Sequence, residues 1–407
     1  MKTIKMMRIS VLLMLLLPMK IMADDITLSV TNEEKVQRQE LVEVDFKTVY
    51  DRLGLKDGEA LVVKNAFGQQ VEYQISYDGK LLIDVAVRPC GIAKYVISKG
   101  IPEPMKSWVE GKVYPMRKDD IAWENDCGAY RVYGPALQHS GEKSYGIDVW
   151  TKCTPELDVE ERYTKDYDGN VRKDILSKAG KKDEWESENM KTSFHLNHGS
   201  GLDCYNVGPT LGCGTPALID GEKLIFPYCY KNYEILDNGP LRFTVALTYN
   251  PTAIKGDTNV IEHRVISLDK GSHFNKMTVW YDGLSKSCDM AAGVVIHSED
   301  KDDVVIGNDF VQYADPTDNP DKHNFQIYVA ALFPNGAQTR KLMYDKPSNG
   351  IEGHAIGVVK NLNNDQKYTY YFGSAWSSYD VRTQREWQVR IEEFLNALQT
   401  PLDIEIK

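Results

Sequence analysis

Residues 194–214 run Phe-His-Leu-Asn-His-Gly-Ser-Gly-Leu-Asp-Cys-Tyr-Asn-Val-Gly-Pro-Thr-Leu-Gly-Cys-Gly, which places His195, His198, Asp203 and Tyr205 within eleven residues. These side chains suit proton transfer. Histidine titrates near neutral pH, a phenol can give or take a proton, and a carboxylate can fix the tautomer of a neighbouring imidazole. Gly199 and Gly201, and further on Gly212 and Gly214, would let the backbone turn sharply and approach a ligand closely. The same run also reads as a structured turn with its histidines exposed. A third reading is a metal site, because His195, His198 and Asp203 are of types that bind zinc and other divalent ions. The His-x-x-His spacing is not the i, i+4 pair of helical metalloproteases, and the glycines argue against a helix. The expectation is therefore a site without a cofactor, with a divalent metal left open.

A second constellation lies at residues 119–135, where Trp123, Glu124, Asn125, Arg131 and Tyr133 occur together. An aromatic face can stack on sugar C–H groups, polar side chains can bind hydroxyls, and Arg131 could pair with a carboxylate. The competing reading is a buried Trp123 with charges solvating a sheet edge. A third candidate is His354 on an apolar run, followed by an aromatic segment that ends in Trp376. His139, His263, His273, His297 and His323 have no comparable company and read as structural or surface residues.

The elements that must hold these residues are strands. Apolar and polar residues alternate at 41–46 and 71–75, and short apolar runs recur at 61–63, 241–247, 261–268, 277–281, 293–296, 325–332, 355–359 and 368–371. Asp78-Gly79 predicts a hairpin with a type I′ turn. Residues 172–191 are rich in charge, with helical or disordered character, and Trp387, Ile391, Phe394 and Leu395 predict a helix over 383–398 closed by Pro401. The fold expected is all-β: one large antiparallel β-sandwich over 24–407 with few short helices, and a possible N-terminal β subdomain at 24–105.

Residues 1–23 form a signal-peptide pattern: Lys2, Lys5 and Arg8, then an apolar stretch at 11–17, then Ala23. A periplasmic or secreted protein is expected. That apolar run is too short to span a bilayer, which takes ~20 residues. The net charge of −11 disfavours nucleic acid and anionic membrane surfaces as partners, though a local cluster of cations could still take an acidic sugar. Seven cysteines leave at least one unpaired and allow one or two disulfides; none has a zinc-ribbon spacing.

Three runs carry a resemblance: residues 119–126 with Tyr130-Arg131-Val132-Tyr133-Gly134-Pro135; His198-Gly199-Ser200-Gly201-Leu202-Asp203-Cys204-Tyr205-Asn206-Val207-Gly208; and Tyr370-Tyr371-Phe372-Gly373-Ser374-Ala375-Trp376-Ser377. They resemble a family of exported bacterial proteins known only as a domain of unknown function and associated with polysaccharide utilisation. The resemblance implies the large sandwich shared by galactose mutarotases and several polysaccharide lyases, and a lyase or dehydratase acting by β-elimination on uronic-acid oligosaccharides. In that reading His198 or His195 is the base, Tyr205 the acid and Asp203 the orienting group. Arg131 or His354 meets the substrate carboxylate, and Trp123, Glu124, Asn125, Tyr133 and Trp376 line the sugar. The alternatives are a non-catalytic binder of acidic glycans and a sugar epimerase. The leader pattern makes one expectation directly measurable: the intact mass of the exported protein should correspond to a chain starting at Asp24, and retention of residues 1–23 would contradict it.

Overall fold

The computed structural model describes residues 25–226, 229–298, 303–317 and 324–407. The leader expected at 1–23 and His323 lie outside the described residues.

Strand pairing is antiparallel in all five sheets. Two of them make the main sandwich. One has five strands in the order Lys223–Ile225, Cys213–Asp220, Cys288–Ile296, Ile351–Leu362 and Gln338–Ser348. The other has nine, with Asp257–Asp269, Phe274–Asp282, Tyr368–Trp376, Ile327–Leu332 and Phe310–Asp315 at its centre. The period-two pattern explains the layering, since successive side chains on a strand face opposite ways. Val245, Leu247, Ile266, Leu268, Met277 and Val279 from the larger sheet meet Met290, Ala292, Val294 and Ile296 from the smaller one in a single buried core.

A four-stranded sheet, Glu110–Tyr114, Asp120–Glu124, Ala129–Val132 and Asp148–Trp150, covers one end of that core. Its Trp123 is fully buried and stacks on Phe243 with ring centroids 6.0 Å apart. Residues 159–192 leave the sandwich as two helices, Val159–Lys178 and Lys182–Thr192. The segment of uncertain character at 172–191 is thus helical apart from the turn between them.

The N-terminal part encloses a core of its own, built from Leu28, Val30, Val42, Leu81, Ile83, Val85 and Ile97. Its four-stranded sheet borrows Asp403–Ile406 from the far end of the chain, paired to Ile26–Asn32. It meets the sandwich through polar contacts. Gln74 accepts from the Leu241 and Arg242 amides at 2.8 and 2.7 Å, and Lys270 pairs with Asp84 at 2.5 Å.

Two expectations need correction. The hairpin at 76–80 is not a type I′ turn: only Gly79 has positive φ, and Ser76 N–H reaches Lys80 O at 2.8 Å across a three-residue loop. Asp78 keeps ordinary backbone angles, and the glycine alone supplies the left-handed step of a bulged turn. None of the seven cysteines forms a disulfide, so none of those allowed by the count is made; Cys204, Cys213, Cys229 and Cys288 are small buried core residues.

The helix Gln384–Gln399 starts one residue after the expected position, because the Thr383 side chain accepts from Glu386 N–H and serves as its N-cap. Trp387 has 0% exposure and stacks on Phe274 at 5.0 Å. Trp387→Ala should cost about 3–5 kcal/mol, read as a drop in unfolding free energy by denaturant titration; a loss below 1 kcal/mol would mean that the helix contributes little to the fold.

Candidate functional site

The residues singled out by sequence fall into two neighbouring groups joined by the loop at 194–214. The first is built around Arg131. Its strand lies between two others, and in register with it Asp148 stands directly opposite on the next strand. Asp203 is brought alongside by the isolated bridge between Trp150 and Asp203. Arg131 Nη2 contacts Asp148 Oδ2 and donates to Asp203 Oδ2 at 3.0 Å, and Asp120 Oδ2 is 3.7 Å from Nη1. The guanidinium is packed by aromatic rings: Tyr133 at 4.7 Å, Trp150 at 5.3 Å and Phe194 at 6.0 Å. Tyr133 also accepts from Arg131 through its hydroxyl at 3.3 Å.

One buried guanidinium cannot neutralise three buried carboxylates. Burial therefore pushes the Asp120 carboxyl up to about 6 and Asp148 up to about 8, although Arg131 pulls both down. Arg131 is buried and its Nη2 is taken by Asp148 and Asp203, which leaves it no exposed face for the carboxylate of a sugar.

The other residues expected to line a sugar are likewise interior. Glu124 is held by Lys152 and accepts the Asp158 and Val159 amides at 2.9 and 2.7 Å, satisfying the first N–H groups of the helix Val159–Lys178. Asn125 uses its whole hydrogen-bonding capacity: its amide donates to Asp269 O and Ser272 O, and its oxygen accepts from Cys127 and Gly128. Trp376 is buried and donates through its indole to Asn324 O at 2.7 Å.

The two loop histidines are exposed at the rim. His195 Nδ1–H donates to Asp203 O at 3.0 Å, and His198 Nε2–H donates to Ser193 O at 2.9 Å. His195 Nδ1 also lies 3.8 Å from Asp203 Oδ2, whereas His198 is turned to Ser193, and among the described residues no three His, Cys, Asp or Glu side chains group to hold a metal. Three of the four glycines answer to the chain itself: a Cβ at Gly201 would lie 2.0 Å from Thr151 O, one at Gly212 2.3 Å from Ile147 O and one at Gly214 2.2 Å from Phe372 Cβ, while Gly199 has open space around it.

Past Asp203 the loop turns inward, and Tyr205 meets His297 with ring centroids 5.9 Å apart and nearly perpendicular. The second group forms here. His297 follows the strand Cys288–Ile296, and Asp315 ends the strand Phe310–Asp315. His297 Nδ1 lies 2.6 Å from Asp315 Oδ2, while Asp315 Oδ1 accepts Thr317 N–H at 2.8 Å. This pairing keeps the proton on Nδ1 and makes Nε2 the basic nitrogen. The Tyr205 hydroxyl is buried with no hydrogen-bond partner among the described residues, and burial together with nearby Cys213 and Asp315 holds its proton on far above the usual phenol range.

His354 borders the group from the strand Ile351–Leu362. Its Nε2 accepts Leu211 N–H at 3.2 Å, and its Nδ1 lies 3.2 Å from the Tyr344 hydroxyl. Burial, reinforced by the charge of His297, pushes it down to about 3, so His354 is neutral at physiological pH and cannot supply a positive charge.

The sequence sets Asp203 and Tyr205 in one constellation, Arg131 and Tyr133 in a second and His354 in a third. The structure instead joins Asp203 to Arg131 and Tyr133 and places Tyr205 beside His297, which reads from sequence as a structural or surface residue, and it adds Asp148, Asp315 and Tyr344. The available signal was positional. His297 and Asp315 each sit at the end of an apolar strand, where a β scaffold presents its functional groups.

Residues 30–404 match a family model described as Domain of unknown function (DUF4861). The chain belongs to that family. A relative, "Uncharacterized protein P7" of Formosa agariphila, is 25% identical over 323 residues, covering 76% of this chain and 73% of that protein. Among solved structures, a protein in the glycosyl hydrolase family 38 from Enterococcus faecalis is similar with a TM-score of 0.45 at 8% identity, across 95% of this chain and 48% of that one. An alpha-mannosidase from Enterococcus faecalis V583 gives a TM-score of 0.41 at 10% identity, across 95% and 46%. The chain spans about half the length of each of these structures.

The carboxylates around Arg131 have a consequence for stability. The folded protein keeps protons on Asp120 and Asp148 that the unfolded chain releases near pH 4. Their contribution is therefore most favourable below about pH 4 and is lost as pH rises to about 8. Urea unfolding followed from pH 4 to 9 should show this decline, and Asp120→Asn should remove the part that ends near pH 6. A profile unchanged by Asp120→Asn would contradict the assignment.

Proposed function

We propose that this protein is an exported carbohydrate-active enzyme that performs β-elimination on uronic-acid oligosaccharides, with His297 as base and Tyr205 as acid. The observation that carries the reading is the 2.6 Å His297–Asp315 pair beside a Tyr205 hydroxyl that has no partner among the described residues. The uronate substrate rests on the family resemblance.

The reaction would run as follows. His297 Nε2 takes the proton on the carbon next to the substrate carboxylate, and the C–H electron pair becomes the new double bond. The bond from the β carbon to its oxygen breaks, and the departing oxygen takes the Tyr205 proton. A sugar as leaving group makes the enzyme a lyase; water makes it a dehydratase. Asp315 stabilises the imidazolium that forms. A cation for the substrate carboxylate must come from outside Arg131 and His354, since the first is spent on Asp148 and Asp203 and the second is neutral. Turnover is therefore best measured with and without added divalent ion.

The test is incubation with a panel of uronic-acid oligosaccharides, followed by ultraviolet absorbance of the unsaturated product and by mass spectrometry. Loss of one water mass identifies a dehydratase and chain scission a lyase. A changed anomeric or epimer ratio without absorbance would indicate an epimerase, and retention without change a glycan-binding protein. General acid–base catalysis is worth ~10²–10⁴-fold, so Tyr205→Phe and His297→Ala should each lower turnover by about that factor while the fold is kept. Folded variants that work within a few-fold of the parent would overturn the assignment.

A further inference from the structure

An open cleft of about 570 Å³ is lined by Pro209, Asp220, Glu222, Lys223, Leu224, Phe226 and Tyr344, and Tyr344 connects it to His354. Its size is within the ordinary range of small-ligand sites, ~300–1,000 Å³. Three observations bear on what it takes.

The first is the orientation of one hydroxyl. Leu211 N–H donates to His354 Nε2, so this nitrogen holds a lone pair and the proton of the neutral ring is on Nδ1. Nδ1–H then donates to the Tyr344 oxygen, 3.2 Å away. With its oxygen accepting from inside the protein, Tyr344 has its own O–H left to donate to whatever lies in the cleft. Tyr344 stands on the edge strand Gln338–Ser348, where regular pairing is interrupted between Met343 and Ser348, and it is 38% exposed. Such an arrangement turns a buried histidine into a device for aiming a surface phenol.

The second is an aromatic wall. Phe226 is half-buried and stacks on Tyr145 at 5.3 Å, with the ring planes 22° apart. Phe226 also packs against the apolar cluster that includes Leu211, Leu224 and Leu342, and part of its ring lines the cleft. The third is charge. Asp220 and Glu222 are offset by Lys223 and by Arg340, which reaches Glu222 at 3.3 Å. Among the described residues that line the cleft no excess of positive charge is present to select a carboxylate, while the carboxylates accept from hydroxyls.

We propose that this cleft is a subsite for an uncharged pyranose, with Phe226 under the C–H face of the ring, Tyr344 donating to a ring hydroxyl and His354 acting as a positioning residue. This rests on the reading of the chain as an oligosaccharide enzyme and deepens it: the substrate is a mixed chain in which a neutral sugar flanks the reacting uronate.

The test is calorimetric titration of the full chain carrying Tyr205→Phe with neutral di- to tetrasaccharides of gluco, galacto, manno, xylo and rhamno configuration, and with uronate oligosaccharides. This background makes binding independent of turnover. At least one neutral oligosaccharide should bind. One hydrogen bond corresponds to a roughly 3- to 10-fold loss of affinity for Tyr344→Phe, and Phe226→Ala should lose ~10-fold. His354→Phe should match Tyr344→Phe, and the double variant should lose no more than either alone, because both break one relay. Thermal melting shows whether His354→Phe folds; if it does not, Tyr344→Phe and Phe226→Ala still decide. The subsite is overturned if no neutral oligosaccharide binds, or if both of those variants bind like the parent. A Tyr205→Phe enzyme as active as the parent would instead sink the elimination reading and leave the binding result standing.

Discussion

The buried guanidinium of Arg131 is the interaction on which the arrangement of this end of the molecule depends. It sits in the middle of a small sheet, between strands that supply Asp120 and Asp148, and reaches across to Asp203 on a loop that has no strand of its own. Trp150, Tyr133 and Phe194 keep water away, so each ion pair is strong and each unpaired charge is costly. Removing the guanidinium would strand its carboxylates in an apolar surrounding, which by analogy with other buried pairs costs about 3–5 kcal/mol. Charge balance is completed by protons, so the cluster links the fold to pH.

Because Asp203 is fixed, the residues that follow it are fixed as well. Leu202 and Thr151 exchange hydrogen bonds on one side, and Gly201 lets the loop pass against Thr151 O. From that anchor the chain delivers Tyr205 to His297 and the Leu211 amide to His354. A loop of this kind is a rigid bracket between two sheets. Its polar residues serve at both ends: the histidines face the rim, and the phenol faces the dyad.

The strands and the C-terminal helix were legible because their signals are local. The alternation at 41–46 and the stripe Trp387, Ile391 and Leu395 depend only on the period of each element. The turn at Ser76 to Lys80 was legible in place but not in type, since Asp-Gly is compatible with more than one hairpin geometry. The site was legible in part. Asp203 and Tyr205 announced themselves through their glycine-rich company, but their partners Arg131 and His297 are 72 and 92 residues away in the chain. Nothing in a local window distinguishes a histidine at the end of one strand from the aspartate at the end of another that it will meet. Trp123 and Asn125 show the opposite error, for side chains that suit a sugar also suit a core when every polar atom finds a partner inside.

The strand Asp403–Ile406 completes a sheet whose other members lie within residues 26–99. During synthesis that sheet stays one strand short until the roughly three hundred residues between 99 and 403 have been made. Through this interval Ile26–Asn32 presents an open edge of unpaired amides and carbonyls, the kind of surface that recruits strands from other chains. Asp403–Ile406 therefore acts as a latch. A nascent or clipped chain lacking it would differ from the finished protein less in its site than in its tendency to pair with its own copies.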